Sequence, residues 1–192
     1  GGDRRQDSVA NGFWVADGEV VLIHDGARPL VTPELVDRVA HGAREHGAAV
    51  PIAPVPESMR HVVDGEIVGI LDRHGLYRSQ TPHGIRRELL GGVYEKVDPH
   101  GDETFIDETT LVQSTGVRVS TVPGEQANLK VTLPGDEMLA YGLLEARVRR
   151  SADYPWLDAA TPIPKNRRKG ATVAEPPSHG AAAEMTRQSS KS

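Results

Sequence analysis

Residues 20–55 read VVLIHDGARPLVTPELVDRVAHGAREHGAAVPIAPV, and the succession of patterns within them decides the fold. Val20 to His24 is an apolar, β-branched run that halts at Asp25-Gly26, as a buried strand of an α/β sheet does. Leu35, Val36, Val39, Ala40 and Ala43 then recur at helical spacing. Thr32 suits the N-cap of that helix, Pro33 its first position and Gly47 the residue beyond its last turn. Ala48 to Val55 returns to strand character, with Pro51 and Pro54 marking an irregular or edge strand. Strand, helix, strand predicts a right-handed parallel crossover. Asp25 and Arg28 therefore sit just past a strand's carboxyl end, where open α/β sheets bind ligands.

Outward from this unit, MRHVV and EIVGIL flank Asp64-Gly65, a hairpin signal of the type I′ kind, so a projecting arm is expected over about 56–80. Ile85, Leu89, Leu90 and Val93 predict a helix running from Gly84, and a shorter helix is expected from near Asp107. Strands are expected from Val117 and from Asn128, and a closing amphipathic helix with Pro134 in its first turn. The chain is thus an α/β protein, one domain over 1–150, followed over 151–192 by a proline-broken, periodicity-poor stretch that reads as a disordered tail. The basic KNRRKG at 165–170 lies in that tail and is assigned no function.

With 38% hydrophobic and 26% charged residues among 192, the composition is that of a globular domain. There is no apolar run long enough to span a bilayer and no secretory leader, so no membrane association is expected and the cytoplasm is the default compartment. The absence of cysteine removes disulfides and thiolate metal sites. A formal net charge of -5 argues against a nucleic-acid partner. The histidines are scattered, with His41 and His46 wrongly spaced for one helical face, so no side-chain metal site is expected.

Three segments offer chemistry. HDGARP joins Asp25 and Arg28 to Gly26, which permits close backbone approach; from pattern alone it is either a phosphate-handling site or a surface ion pair at a turn. Lys130 interrupts an otherwise apolar stretch, as a lysine facing a cleft would. GGDRRQDSV, with Gly2, Asp3, Asp7 and Ser8, has the makings of a loop onto a nucleotide.

Taken together, GGDRRQDSV, VLIHDGARPLV, PVPESMRHV, ILDRHGLYRSQTPHGI, ETFIDETTLV and NLKVTLPGDEMLA resemble, in order and spacing, the 2-C-methyl-D-erythritol 4-phosphate cytidylyltransferases, from Gly1 to about Leu144. The resemblance implies a Rossmann-like three-layer α/β/α nucleotidyltransferase sheet and a homodimer joined through the hairpin arms. It implies CTP and a sugar-alcohol phosphate as substrates, with Mg²⁺ held mainly through the CTP phosphates. Carried over, Gly2, Asp3 and Ser8 would contact cytosine and ribose, Asp25 and Gly26 would lie beside ribose and phosphates, and Lys130 would neutralise the reacting phosphates. Arg28 would hold the acceptor phosphate, with Ser58 and Arg73 reaching it from the partner's arm.

Departures are visible. Pro56-Glu57-Ser58-Met59-Arg60 stands where the family usually has Thr-Asp-Thr-hydrophobic-Lys, and His83 and Ile106 replace a glutamine and a hydroxyl residue. Two rivals stay open: a ribitol 5-phosphate cytidylyltransferase, toward which Gly26 tilts, and a non-catalytic remnant or dimerising module. The chain opens at Gly1 without the strand, glycine-rich loop and lysine with which the family begins, which reads as a start in mid-domain. The chain on its own is therefore expected to be poorly stable and inactive, and a pyrophosphate-release assay is expected to show no turnover.

Overall fold

The structure is a computed structural model that describes residues 1–148; the last two residues of the expected domain and the expected tail lie outside the described residues. Its elements run α1 (Arg5–Val15), β1 (Val20–Ile23), α2 (Pro33–His46), β2 (Ala48–Pro54), β3 (Met59–Val63), β4 (Glu66–Leu71), β5 (Tyr77–Ser79), β6 (His83–Arg86), α3 (Arg87–Tyr94), α4 (Glu108–Ser114), β7 (Ser120–Pro123) and α5 (Asp136–Val148). No described helix is long and apolar enough to cross a membrane.

The sheet is mixed. β1 pairs antiparallel with β6, β6 antiparallel with β2, and β7 parallel with β2 on its other side. β1, β2 and β7 therefore run in the same direction, and β6 lies between the two strands of the predicted crossover. Helix α2 covers one face, where Leu35, Val39 and Ala43 pack with Ala49 and Val122. On the other face Ala10 and Phe13 of α1, Leu90, Val93 and Tyr94 of α3, and Leu111 and Val112 of α4 close over Ile23, Ala48 and Ile85. Alternation along the strands sends Ala48 and Ala49, or Ile85 and Gly84, to opposite faces, which yields three layers from one sheet.

α2 forms as expected. The Thr32 hydroxyl accepts from the Leu35 N–H at 3.0 Å, Pro33 opens the helix, and Gly47 follows it at φ 90°. The hairpin also forms, with Asp64 at φ 51° and Gly65 at φ 84° turning β3 into β4. Both of its strands are exposed along almost their whole length, and they form a separate two-stranded sheet.

Five expectations are corrected. The segment read as a nucleotide loop is a loop only through Arg4, after which α1 begins; its buried face carries Gln6 and Asp7 beside Ala10 and Phe13, so apolar periodicity is missing. The helix expected from Gly84 starts at Arg87, because His83–Arg86 is drawn into the sheet between β1 and β2. Asn128 to Thr132 is not a strand, although the Val131 N–H donates to the Ala27 carbonyl at 2.8 Å. Finally, β2 is central rather than an edge, and α5 begins at Asp136, beyond Pro134. Pro51 is tolerated there because its side of the strand falls between the registers of β6 (Ala48, Ala49) and β5 (Ile52–Pro54).

Gly84 stands where helix and sheet leave no room for a side chain. A Cβ on it would stand 2.8 Å from Val39 Cγ1 and 3.0 Å from the Val39 carbonyl oxygen, so α2 lies directly on this strand. Gly84→Ala is expected to lower stability by about 1–3 kcal/mol through overpacking, measured by urea unfolding.

Candidate active site

Three connections meet at the carboxyl edge of β1, β2 and β7: the turn after β1, the Gln80-Thr81-Pro82 link between β5 and β6, and the irregular stretch after β7. What holds the third connection is Glu125, whose side chain is 0% exposed. Its carboxylate accepts from the Thr32 hydroxyl at 2.9 and 3.0 Å and from Arg38 Nη2 at 2.8 Å. Its backbone is clamped by one side chain: Gln80 Oε1 accepts from the Glu125 N–H at 3.0 Å, and Gln80 Nε2 donates to the Glu125 carbonyl at 2.7 Å. Asn128, equally buried, donates from Nδ2 to the Thr81 carbonyl at 2.9 Å. The buried amides thus take over the role that strand pairing plays elsewhere.

On this frame stands a cluster of charges. Asp25 has Lys130 Nζ at 3.0 Å from Oδ2, Arg5 Nη2 at 3.4 Å from Oδ1 and Arg28 Nε at 3.8 Å from Oδ2. Its N–H donates to the Thr81 hydroxyl at 3.0 Å. Burial pushes the Asp25 carboxyl up, but Lys130, Arg5 and Arg28 together hold it below the usual carboxylate range. Arg28 braces the cluster, donating to the carbonyls of Asn128 at 2.8 Å and Ser79 at 3.1 Å, and its burial lowers its own pKa.

Two hollows flank the cluster. One, of about 180 Å³, is lined by Arg5, Asp25, Arg28, Thr81, Asp107 and Lys130 among others. The second, of about 440 Å³, lies on the far side of Arg28 and Lys130 and adds Arg78, Asn128 and Leu139. Asp107, whose carboxylate accepts from the Thr110 N–H at 2.9 Å, is the N-cap of α4.

The structure therefore unites Asp25, Arg28 and Lys130, with Gly26 exposed at the same turn and nothing within 4 Å of where its Cβ would be. Gly2, Asp3 and Ser8 lie elsewhere, at the start of α1. There Ser8 Oγ accepts from the Gly2 N–H at 2.8 Å, and Gly2 and Asp3 line a hollow with Arg4, Asp7, Asn11 and His100. A Cβ on Gly2 would meet Asp7 Cβ at 2.5 Å, so local packing already requires glycine there. Ser58 and Arg73 are exposed beside the hairpin, where Arg73 donates to the Pro56 carbonyl, and neither lines the Asp25 cluster. Sequence reasoning missed Arg5, Gln80, Glu108 and Glu125 as builders of the site. Arg5, Gln80 and Glu108 fall within stretches quoted for the family resemblance but were given no role, and Glu125 falls in none of them.

A mixed-sheet α/β/α domain with cations gathered around one aspartate at the edge where parallel strands end is a domain built to hold anions. Comparison with known proteins makes this specific. The chain belongs to the 2-C-methyl-D-erythritol 4-phosphate cytidylyltransferase family, whose profile it matches over residues 1–146. It is 42% identical over 157 residues to the cytidylyltransferase of that name from Rubrobacter xylanophilus, covering 79% of this chain and 67% of the relative. It is 40% identical over 158 residues to a bifunctional enzyme IspD/IspF from Anaeromyxobacter dehalogenans, covering 80% of this chain. Among solved structures, the 2-C-methyl-D-erythritol 4-phosphate cytidylyltransferase of Thermus thermophilus superposes with a TM-score of 0.70 at 37% identity, covering 76% of this chain and 71% of that one. The chain spans 41% and 38% of the length of two bifunctional relatives that it matches, and 64% of the Bacillus licheniformis cytidylyltransferase.

Two outcomes follow from the charges. Arg38→Met strands the Glu125 carboxylate and is expected to cost about 2–3 kcal/mol, the lower side of what breaking a buried pair costs because Arg38 reaches solvent, as read by urea unfolding. Burial pushes Glu108 up, but His83 and Arg5 hold it below its ordinary value of 4.5. Its contribution to stability is therefore complete above that value and lost as pH falls through the lowered one. Unfolding free energy is expected to drop on acidification below 4.5, and less steeply in Glu108→Gln.

Proposed function

We propose that this protein transfers a cytidylyl group from CTP to 2-C-methyl-D-erythritol 4-phosphate. The single observation that carries the reading is the Lys130–Asp25 pair, 3.0 Å apart with Arg28 and Arg5 around it, at the sheet edge of a chain that belongs to this family. An oxygen of the acceptor phosphate attacks the α-phosphorus of CTP. A new P–O bond forms, the bond from the α-phosphorus to the bridging oxygen breaks, and pyrophosphate leaves with that electron pair. No covalent enzyme intermediate is needed, so the work of the site is positioning and charge neutralisation.

Lys130 Nζ, partly exposed, is a point charge free to leave Asp25 for a phosphate oxygen. Arg28, held by two carbonyls, presents a fixed charge to the acceptor phosphate from the wall shared by the two hollows. Gly2, Asp3 and Ser8 take the cytosine and ribose, and Asp25 with Gly26 borders the ribose and phosphates. Mg²⁺ would rest mainly on the CTP phosphates, where it would neutralise their charge. Ser58 and Arg73, remote from Asp25 in their own chain, serve the acceptor site of a second copy through the arm, which makes the working form a homodimer.

Isothermal titration of the chain with CTP and magnesium tests this reading. Saturable binding, weakened about tenfold by Lys130→Met, supports it, and no binding overturns it. Tighter binding of methylerythritol phosphate than of ribitol 5-phosphate assigns the acceptor, and the reverse order replaces it.

A further inference from the structure

We propose that Glu108 is a positioning residue that, acting through Arg5, fixes the direction in which Asp25 presents its carboxylate to Lys130. This rests on the reading that Asp25 and Lys130 serve the phosphates of CTP. Glu108 itself cannot meet a ligand, because its side chain is only 3% exposed. It lies at the first residue of α4, under the site, with His83 Nδ1 3.5 Å from Oε2 on one side and Arg5 on the other.

The geometry of Arg5 makes the argument. A guanidinium is a planar fork that prefers to grip one carboxylate with both prongs. Here one prong, Nη1, is taken by both oxygens of Glu108, at 2.7 and 2.8 Å. It is Nη2 that turns to Asp25, and it reaches Oδ1 alone, at 3.4 Å. Oδ2 is thereby left to Lys130 at 3.0 Å and Arg28 at 3.8 Å. Glu108 thus splits the fork of Arg5 between two carboxylates. Without its charge, Arg5 is free to swing and close on both oxygens of Asp25, displacing Lys130.

Burial of Glu108 also explains the choice of partners. Glu108 loses water on folding and must be matched by a cation, while Arg5 is anchored at the start of α1 and half-exposed, so its head group can bridge buried and open carboxylates. The line from His83 through Glu108, Arg5 and Asp25 to Lys130 joins β6, α4, α1, the turn after β1 and the stretch after β7.

The test is a crystal structure of Glu108→Gln together with a double-mutant cycle. The structure is expected to show Arg5 on both oxygens of Asp25 and the Asp25–Lys130 separation opened past about 4 Å, the outer limit of an ion pair. An unchanged 3.0 Å pair in the folded variant overturns the proposal. In the cycle, Lys130→Met is introduced into the native and Glu108→Gln backgrounds and CTP affinity is measured. Glu108 and Lys130 do not touch, so a coupling of about threefold or more is expected only if Arg5 and Asp25 connect them, and additivity within about a factor of two overturns the proposal.

A residue needed only for folding lowers the melting temperature without producing that coupling. If Glu108→Gln does not fold, Arg5→Lys takes its place in the double-mutant cycle, since a lysine has no fork to divide between two carboxylates, and additivity there overturns the proposal. If the native chain binds no CTP, the nucleotide-site reading falls and the crystallographic distance alone decides the positioning role.

Discussion

Glu125 carries a charge into the interior with no exposed surface, and a carboxylate there is tolerated only if the fold supplies its partners. Those partners come from far away in sequence. Thr32 and Arg38 belong to α2 and its cap, and Gln80, which grips the Glu125 backbone from both sides, belongs to the link between β5 and β6. Once that carboxylate is matched, the N-terminus of α2 and two of the three connections around Asp25 have fixed relative positions. Thr32 shows the economy of the arrangement, since one hydroxyl both accepts from the first turn of α2 and donates to Glu125. The ligand-facing charges are therefore set on a dry polar frame, while the apolar layers supply most of the driving force.

The charges themselves are close to balanced in their resting arrangement. Asp25 is surrounded by three cations, one of which is shared with Glu108, so each of these charges has an opposite charge within 4 Å. An arriving polyanion competes for cations that already have partners. Lys130, the most exposed of them, is the one whose exchange costs least, because an ion pair near solvent is worth little. Arg28, with its two carbonyl acceptors, is a fixture rather than a mobile group.

Much of this was legible in the sequence, and the parts that were not share a cause. The unit from Val20 to Pro54 announced itself through period, cap and breaker, and the Asp64-Gly65 turn did the same for the hairpin. Asp25 and Arg28 were readable because they follow a strand's end at the edge where open sheets bind ligands, and Lys130 because it interrupts an apolar stretch, although that stretch is not the strand expected. Helix α1 was hidden because its buried face is half polar: Gln6 donates to the Pro99 and Glu103 carbonyls, and Asp7 is bound to Arg4. β6 was hidden because only pairing with residues some sixty and some thirty-five positions away makes four residues a strand. Glu108 and Glu125 were unreadable for the same reason, since their significance lies in partners that local pattern does not reveal.

The hairpin of β3 and β4 stands apart from all of this. Its strands pack chiefly on each other, with Val62, Ile67 and Ile70 among the large apolar side chains left in the open. A lone two-stranded ribbon is barely stable in water, so its opening is decoupled from the unfolding of the core. Amide hydrogens of the ribbon are therefore expected to exchange faster than those of β2, which lie inside the five-stranded sheet. The molecule thus contains two regions of different cooperativity, and the arm reports on its neighbours rather than on the stability of the domain that carries it.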